Sequence, residues 1–569
     1  MTTDDCRTFH GPSCAQASLE SNGKPEDLEE FAFNTPLQTI WGDACCVLWR
    51  DSLGGFCVTI KLYATRGTSG FPPLASDISC QYSWATHHGN LLNIPDNYSG
   101  FGNPTLATPR YPSCLVINNL QYPESYYGVF PSQYNPIQTP ASLDLNTTIK
   151  LNAMTPPILI IGAGLSGLTT ARLLTNAGIP CIVFEASPPS RTQGYAISLR
   201  DWGFNTLLKA LGNLPLSSLT RGVAPDRHIG GWGWLDQSWR NNQTGEIIMM
   251  PPRESKDKPS ILRANRDALR QWIADADAGG EEEVDVRYGH RLVGVKLRGD
   301  GEDGDLVTAE FANGATYTGS LLIAADGVHS TVRTLLVPSA KPEILPVLVY
   351  HGDFKLSRDD YERVVRPHAG ESTILGGVGD GFNTPLTVCN ITSTTVHMDW
   401  SYSRPSVEND PLFNPEITSE EAKVIPEALI EEINAKQLGV PWSLFVNGEA
   451  MRGHRVFNWL IRCVSMERSD VDSCSRRGVV FVGDSWHAMP IFGGEGGNHA
   501  ILDGIELAKL LQGIWARSKE DMQAAIKKYY DKSWRRCTDA VRRSKQRFYQ
   551  LHRPISEWVE IAEKQKMRE

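Results

Sequence analysis

The stretch Ile158-Leu159-Ile160-Ile161-Gly162-Ala163-Gly164-Leu165-Ser166-Gly167, followed at Cys181-Ile182-Val183-Phe184-Glu185 by a second apolar run, decides the fold. Ile158 to Ile161 is short and wholly apolar, as a strand buried on both faces must be. Three glycines then fall in the spacing G-x-G-x-x-G. Gly162 permits a tight turn, Gly164 lets a pyrophosphate approach the backbone, and Gly167 lets the following helix press on the sheet. Leu168, Ala171, Leu173 and Leu174 give that helix an apolar face, and Gly178 stands where its C-terminal cap belongs. Cys181 to Phe184 is the second strand, with Glu185 at its end placed for a ribose hydroxyl. Free N–H groups opening the helix would hold a dinucleotide pyrophosphate. The motif alone leaves FAD and NAD equally open.

Two further corners of the same kind lie downstream. Leu321 to Ala325 is a buried strand ending in Asp326-Gly327, with a helix opening at Ser330. Val479 to Val482 is another, ending in Gly483-Asp484. The glycine run Gly493-Gly494-Glu495-Gly496-Gly497-Asn498 follows and leads into a helix past Leu511, leaving backbone bare where a ring could approach. Between these corners the pattern changes. Gln193 to Leu199 reads as a strand, Asp201 to Leu211 as a helix, and Ser260 to Ala274 as a single helix with an apolar stripe from Ile261 to Ile273. Val284 to Tyr288, Leu292 to Leu297 and Val307 to Phe311 alternate as strands, with Asn313-Gly314 a hairpin turn. Val347 to Leu356, Ser372 to Gly376 and Leu386 to Tyr402 are amphipathic strands of a separate, largely antiparallel sheet. Gly376 to Gly381 reads as a loop, because no helix follows it. Ser419 to Gln437 and Lys519 to Glu569 read as helical.

Composition narrows the function. Lys and Arg number 55 against 65 Asp and Glu, a net charge of −10, which argues against a nucleic-acid partner. No apolar run reaches the roughly 18 residues of a spanning helix, and the acidic start does not resemble a signal peptide. A cytoplasmic location follows. The basic helical end (Lys527, Lys528, Arg535, Arg536) is read as a solvated face, a peripheral membrane contact being the sharper alternative. Twelve cysteines contain no C-x-x-C pair and no Cys/His cluster, so no metal site is expected. Residues 1–153 carry few charges and many turn formers, with short strand-like runs only at Cys45–Trp49 and Phe56–Tyr63. A poorly ordered extension is the reading, with Met154 the functional start.

Taken together, residues 158–185, 321–333 and 479–504 resemble the FAD-dependent aromatic hydroxylases, the group A flavin monooxygenases, in the style of fungal secondary metabolism. The ordered triple is far more specific than any one motif. The resemblance implies an α/β fold: a Rossmann-like FAD/NAD(P)-binding domain of the glutathione-reductase type, an inserted antiparallel sheet for substrate and a C-terminal helical segment. It implies FAD as cofactor, with NAD(P)H and O2 as co-substrates and a hydrophobic small molecule hydroxylated or epoxidised through a flavin C4a-hydroperoxide. By the same resemblance Gly162, Gly164, Gly167 and Glu185 hold the ADP half, and Arg266, in R-x-x-L, contacts the cofactor. Asp326 and Gly327 serve FAD and NAD(P)H, Asp484 takes the ribityl chain, and the N–H groups of Gly497 and Asn498 meet the flavin pyrimidine edge. Gly194 lies near the dimethyl or ribityl end. Ala324, Trp486 and Ala488 depart from the family pattern, and Trp486 and Ala488 put the packing near the flavin in question. No catalytic base is fixed; Tyr195, His397 and Tyr402 are candidates. His487 is read as structural. Two other functions stay open: an FAD-dependent reductase of a lipid-like substrate, and a non-catalytic flavin-fold binding protein. The expected organisation is 1–153 extension; 154–225, 261–340 and 475–515 FAD-binding; 226–260 and 341–474 substrate domain; 516–569 C-terminal helices. Oligomeric state is not legible.

Overall fold

The computed structural model describes residues 29–35, 44–50 and 56–62, and residues 156–567 apart from 191–193, 252–257, 300–304 and 516–517. The chain divides into two units, Met1–Pro136 and Ile137–Glu569. In the first, Glu29–Thr35, Ala44–Arg50 and Phe56–Leu62 form an antiparallel meander. The last two match the strand-like runs of the sequence up to Leu62, Tyr63 lying outside the described residues; the first was not anticipated. The expectation of poor order for the rest of 1–153, and of a start at Met154, lies outside the described residues.

The second unit is built on a five-stranded parallel sheet, in the order Val286–Arg287, Cys181–Phe184, Ile158–Ile161, Leu321–Ala324, Val479–Phe481. Ile158, Leu159 and Ile160, and Leu321 to Ala324, are completely buried, as central parallel strands require. The helix Leu165–Asn176 covers one face with the helix Gly496–Gln512 packed beside it. Gly178 follows the first of these at φ +66°, the left-handed exit expected of a helix end.

A seven-stranded sheet forms the second layer, in the order Arg455–Asn458, Val347–Ser357, Thr395–Pro405, Leu386–Ile391, Ile374–Val378, Trp239–Asn241, Ile247–Met249. It is antiparallel except where Ile374–Val378 pairs with Trp239–Asn241. Alternation puts Tyr350, Phe354, Met398, Trp400 and Tyr402 on one face, in a core shared with Leu429, Ile433 and Trp442. The long helix Lys519–Leu551 and the helix Ile555–Lys566 close the unit. No helix among the described residues is long and apolar enough to cross a membrane.

Four sequence expectations are corrected. Ser260–Ala274 is not one helix: Ile261–Asn265 is a strand paired antiparallel with Ala196–Arg200, and the helix begins at Arg266. Asn265 caps it, its side chain accepting the Ala268 N–H at 2.9 Å. Leu386–Tyr402 is a hairpin, broken at Thr392–Thr394, where the Thr392 N–H donates to Thr395 O. Ser419–Gln437 splits into a short 3-10 turn, Glu421–Lys423, and the helix Glu427–Ala435, because Pro426 has no N–H to continue the first and stands at the N-cap of the second. Gly376 and Gly377 are strand, not loop. A Cβ on Gly377 would meet Trp442 and Thr384 O at 2.7–2.8 Å, so only a bare backbone fits.

Candidate active site

Two of the three glycines of the turn are required by its packing. Gly162 has φ +106°, and a Cβ there would meet Ala325 O at 2.4 Å; a Cβ on Gly167 would meet Gly162 O at 2.2 Å. The first corner thus abuts the second, the Ala325–Asp326 loop. Gly483 (φ +60°) packs on Ser166, bringing the third corner onto the first helix. Arg333, fully buried, ties second to third by donating to Ser485 O at 2.7 Å and Val328 O at 2.6 Å.

A cavity of about 400 Å3 opens over the glycine turn, lined among others by Gly164, Glu185, Arg266, Arg270 and Tyr288. Glu185 accepts the Ala163 N–H at 3.1 Å and the Ser187 N–H at 2.9 Å, fixing its carboxylate at the end of its strand. Arg270 donates to Ala163 O at 2.7 Å and stands 4.0 Å from Glu185. Burial lowers the Arg270 pKa, the Arg266 cation adding to it and Glu185 opposing it. The sequence motif pointed to Arg266 and not to Arg270. The signal was its position four residues on, on the same helical face.

Arg266 joins the ends of the site. It lines the cavity with Glu185, its guanidinium lies 5.5 Å from the Tyr195 ring, and its charge acts on Asp484. Burial raises the Asp484 pKa, and the His487 and Arg266 cations work against that. Burial also raises that of Asp326, against hydrogen bonds from Ser330 and Val332. Arg266 Nη1 and Asp326 Oδ1 are buried with no hydrogen-bond partner among the described residues. A cationic nitrogen and a carboxylate oxygen so placed fit a ligand bearing phosphate and hydroxyl groups. Gly327 has φ +76°, keeping the Asp326 turn tight.

Gly497 and Asn498 open the helix Gly496–Gln512, but not alike. The Asn498 N–H donates to Glu495 O at 3.0 Å. Its side chain accepts the Arg200 N–H at 2.7 Å and donates to Ser198 O at 3.0 Å. Asn498 is a buried clamp on the strand Ala196–Arg200, so its N–H does not point into the site. The Gly497 N–H donates to no acceptor among the described residues. Gly194 (φ +73°) gives its N–H to Asp267 at 2.8 Å, and a Cβ there would meet His397 Cε1 at 2.9 Å.

Beyond Gly194 lies the face of the seven-stranded sheet opposite its core. Half-buried Tyr195, Trp459 and Phe457 line it together with His351, with Tyr195 to Trp459 at 6.2 Å and His351 to Phe457 at 5.0 Å between ring centres. His397 Nε2 faces Asp353 Oδ1 at 3.3 Å. Burial would raise the Asp353 pKa, but hydrogen bonds from His397 and Arg455 hold it low. Of the three candidate bases, Tyr402 is excluded. It is fully buried in the sheet core, hydrogen-bonded to Glu432, with burial pushing its hydroxyl pKa far up. Trp486, a departure from the family pattern, turns away from the site and stacks on Trp534 of the long helix at 5.2 Å.

Residues 160–207 match the family model of the NAD(P)-binding Rossmann-like domain. The chain is 86% identical over 416 residues, 73% of its length, to the whole of FAD-dependent monooxygenase aptC of Emericella nidulans. It is 62% identical over 418 residues, again 73% of its length, to 98% of FAD-dependent monooxygenase adaC of Aspergillus niger. Among solved structures, Klebsiella pneumoniae HpxO complexed with FAD and uric acid matches with a TM-score of 0.53 at 20% identity, over 73% of this chain and 93% of that one. At that identity the likeness speaks for the fold alone.

Proposed function

Because the chain belongs to the FAD-dependent monooxygenases, we propose that it oxygenates an electron-rich aromatic small molecule in fungal secondary metabolism, in the cytoplasm, with NAD(P)H as reductant and O2 as oxidant. Bound FAD supplies the relay of electrons to O2 and the transfer of one oxygen atom. The chain's residues do the rest. Glu185, Arg266 and Arg270 take the adenosine and pyrophosphate end, and Gly162, Gly164 and Gly167 give it bare backbone. Asp326 and Gly327 close the middle, Asp484 holds the ribityl hydroxyls, and the free Gly497 N–H meets the pyrimidine edge of the ring, where a helix start favours negative charge. Gly194 borders the ring on the side of His397. The segments 154–225, 261–340 and 475–515 carry this grip; 226–260 and 341–474 carry the substrate.

One observation carries the assignment: the three corners converge, Gly162 on Ala325 O and Gly483, which precedes Asp484, on Ser166, while Arg266 and Glu185 line one cavity with Gly164. Asp484→Ala tests it. Its flavin affinity should fall by about 10–100-fold, the scale of a lost charged hydrogen bond. Unchanged flavin content of the purified protein would overturn the assignment.

The substrate, in this reading, lies against Tyr195, Phe457 and Trp459. With its Nε2–H donating to Asp353, His397 keeps Nδ1 as an acceptor for a phenolic proton, and that proton's removal makes the ring more nucleophilic. We further infer that Met154 begins the catalytic unit. The match that covers all of the Emericella nidulans relative spans 416 residues, the length from Met154 to Glu569. Residues 154–569 expressed alone should be yellow and soluble; an insoluble or flavin-free product refutes this.

A further inference from the structure

Behind the flavin-facing turn lies a cluster that the reaction does not use directly. Asp503, on the helix Gly496–Gln512, has no exposed side-chain surface. Its Oδ2 accepts the Gly483 N–H at 2.8 Å and faces His487 Nε2 at 2.6 Å. Its Oδ1 accepts from Arg536 at 2.7 Å, with the Cys537 thiol at 3.8 Å. Arg536 also reaches Glu506 at 2.9 Å and His499 at 3.0 Å. The ligand atoms of His487, Asp503 and Cys537 lie within 4.8 Å of one another, a spacing a metal ion could use. The carboxylate, however, already faces a guanidinium and an imidazole, so a metal cation would add to charge already neutralised.

We propose that Asp503 is the positioning residue of the flavin site: one carboxylate fastens the turn that presents Asp484 to the helix that presents Gly497, and fastens both to the long C-terminal helix through Arg536. The geometry is specific. His487 and Asp484 are the two ends of one four-residue helix, and Gly483 is its N-cap, at φ +60° and ψ −143°, a conformation only glycine holds without strain. That turn therefore needs an external acceptor for its N–H and an anchor at its far end, and Asp503 supplies both with a single oxygen. The charge state agrees. Burial disfavours the imidazolium, but Cys537 and Asp503 raise the His487 pKa well above the ordinary value; burial would raise that of Asp503, but His487 and Arg536 hold it far below the usual carboxylate range. Glu506 is the natural control. It accepts from the same Arg536 Nη2 as Asp503 and, among the described residues, has no link to Gly483.

The inference rests on the placement of Asp484 at the ribityl chain, and the test separates the two. FAD affinity, apoprotein melting temperature and the visible circular dichroism of bound flavin are measured for full-length wild type, Asp484→Ala, His487→Gln, Asp503→Asn and Glu506→Gln. His487→Gln and Asp503→Asn should weaken FAD binding by about 10–100-fold and change the shape of the flavin dichroism. Glu506→Gln should bind FAD within about twofold of wild type with an unchanged spectrum, whatever its melting temperature. If Asp503→Asn does not fold, His487→Gln decides. The proposal is overturned if His487→Gln retains wild-type affinity and spectrum, or if Glu506→Gln loses as much flavin as the other two. If Asp484→Ala loses flavin while His487→Gln and Asp503→Asn keep it, this inference alone fails. If Asp484→Ala keeps it, the placement beneath it fails first.

Discussion

The glycine-marked corners and the sheet face opposite them are built by different means. At the corners the backbone is the instrument. Gly162, Gly167 and Gly483 are there because a methyl group would strike Ala325 O, Gly162 O or Ser166. Across the cleft the side chains are the instrument: Tyr195, His351, Phe457 and Trp459, like the pair His397 and Asp353, meet only because antiparallel register and a loop bring them together. A backbone-built site tolerates no substitution but is written in local spacing. A side-chain-built face tolerates change and is written nowhere locally. Cofactor binding therefore ought to be brittle and substrate handling graded.

The largest expected effect on flavin binding is at Gly167. Gly167→Ala forces a carbon to within 2.2 Å of Gly162 O, and relieving it shifts the turn itself at a cost of roughly 1–3 kcal/mol or more. Purified Gly167→Ala should carry no flavin, read from its absorbance at visible wavelengths; a yellow variant would break the contrast. Next is a position on the core side of the sheet, remote from both sites. Arg404 donates to Glu432 at 2.5 and 2.8 Å and to Asp410 at 3.1 Å, and the Asp410 side chain is fully buried. Arg404→Leu leaves these carboxylates unpaired and should cost about 3–5 kcal/mol of stability. Its sign with pH is fixed. Burial would raise the pKa values of Asp410 and Glu432, but hydrogen bonds from Arg404 hold both below the ordinary carboxylate range. That stabilisation is full above the unfolded values, about 4, and is lost as pH falls through the folded ones. The melting-temperature gap between wild type and variant should narrow from pH 7 towards pH 3.5; a constant gap would mean that the ion cluster is not its origin.

A smaller effect sharpens the comparison from the substrate side. His397→Gln should lower kcat/KM by about 100-fold, while flavin content stays at the wild-type level. Loss of flavin in this variant would move His397 to the cofactor side of the cleft. The smallest is Trp459→Ala, which should raise KM several-fold, about 0.5–1.5 kcal/mol of lost ring contact, and leave kcat nearly unchanged. A large fall in kcat would mean that Trp459 orients the reacting atoms.

What was legible follows the same division. The three apolar strands before Gly162, Asp326 and Gly483 announced a parallel sheet, because burial on both faces leaves no polar alternation to confuse the reading. The helix starting at Arg266 was misplaced because Ile261 and Leu262 extend its apolar stripe by chance, although Asn265 was a readable cap. Pro426 was an equally readable break. The hairpin at Thr392–Thr394 had no glycine or Asn-Gly signal to give. Trp459 and the His397–Asp353 pair were invisible for a plainer reason. Their partners stand tens of residues or more away, and only the fold shortens that distance.

The parallel pairing of Trp239–Asn241 with Ile374–Val378 sets a rule for recombining this enzyme with its relatives. The seven-stranded sheet is woven from two separate inheritances. A chimera that imports the longer segment alone strands a foreign edge against a native one, and new specificity has to be transplanted as a matched pair of inserts.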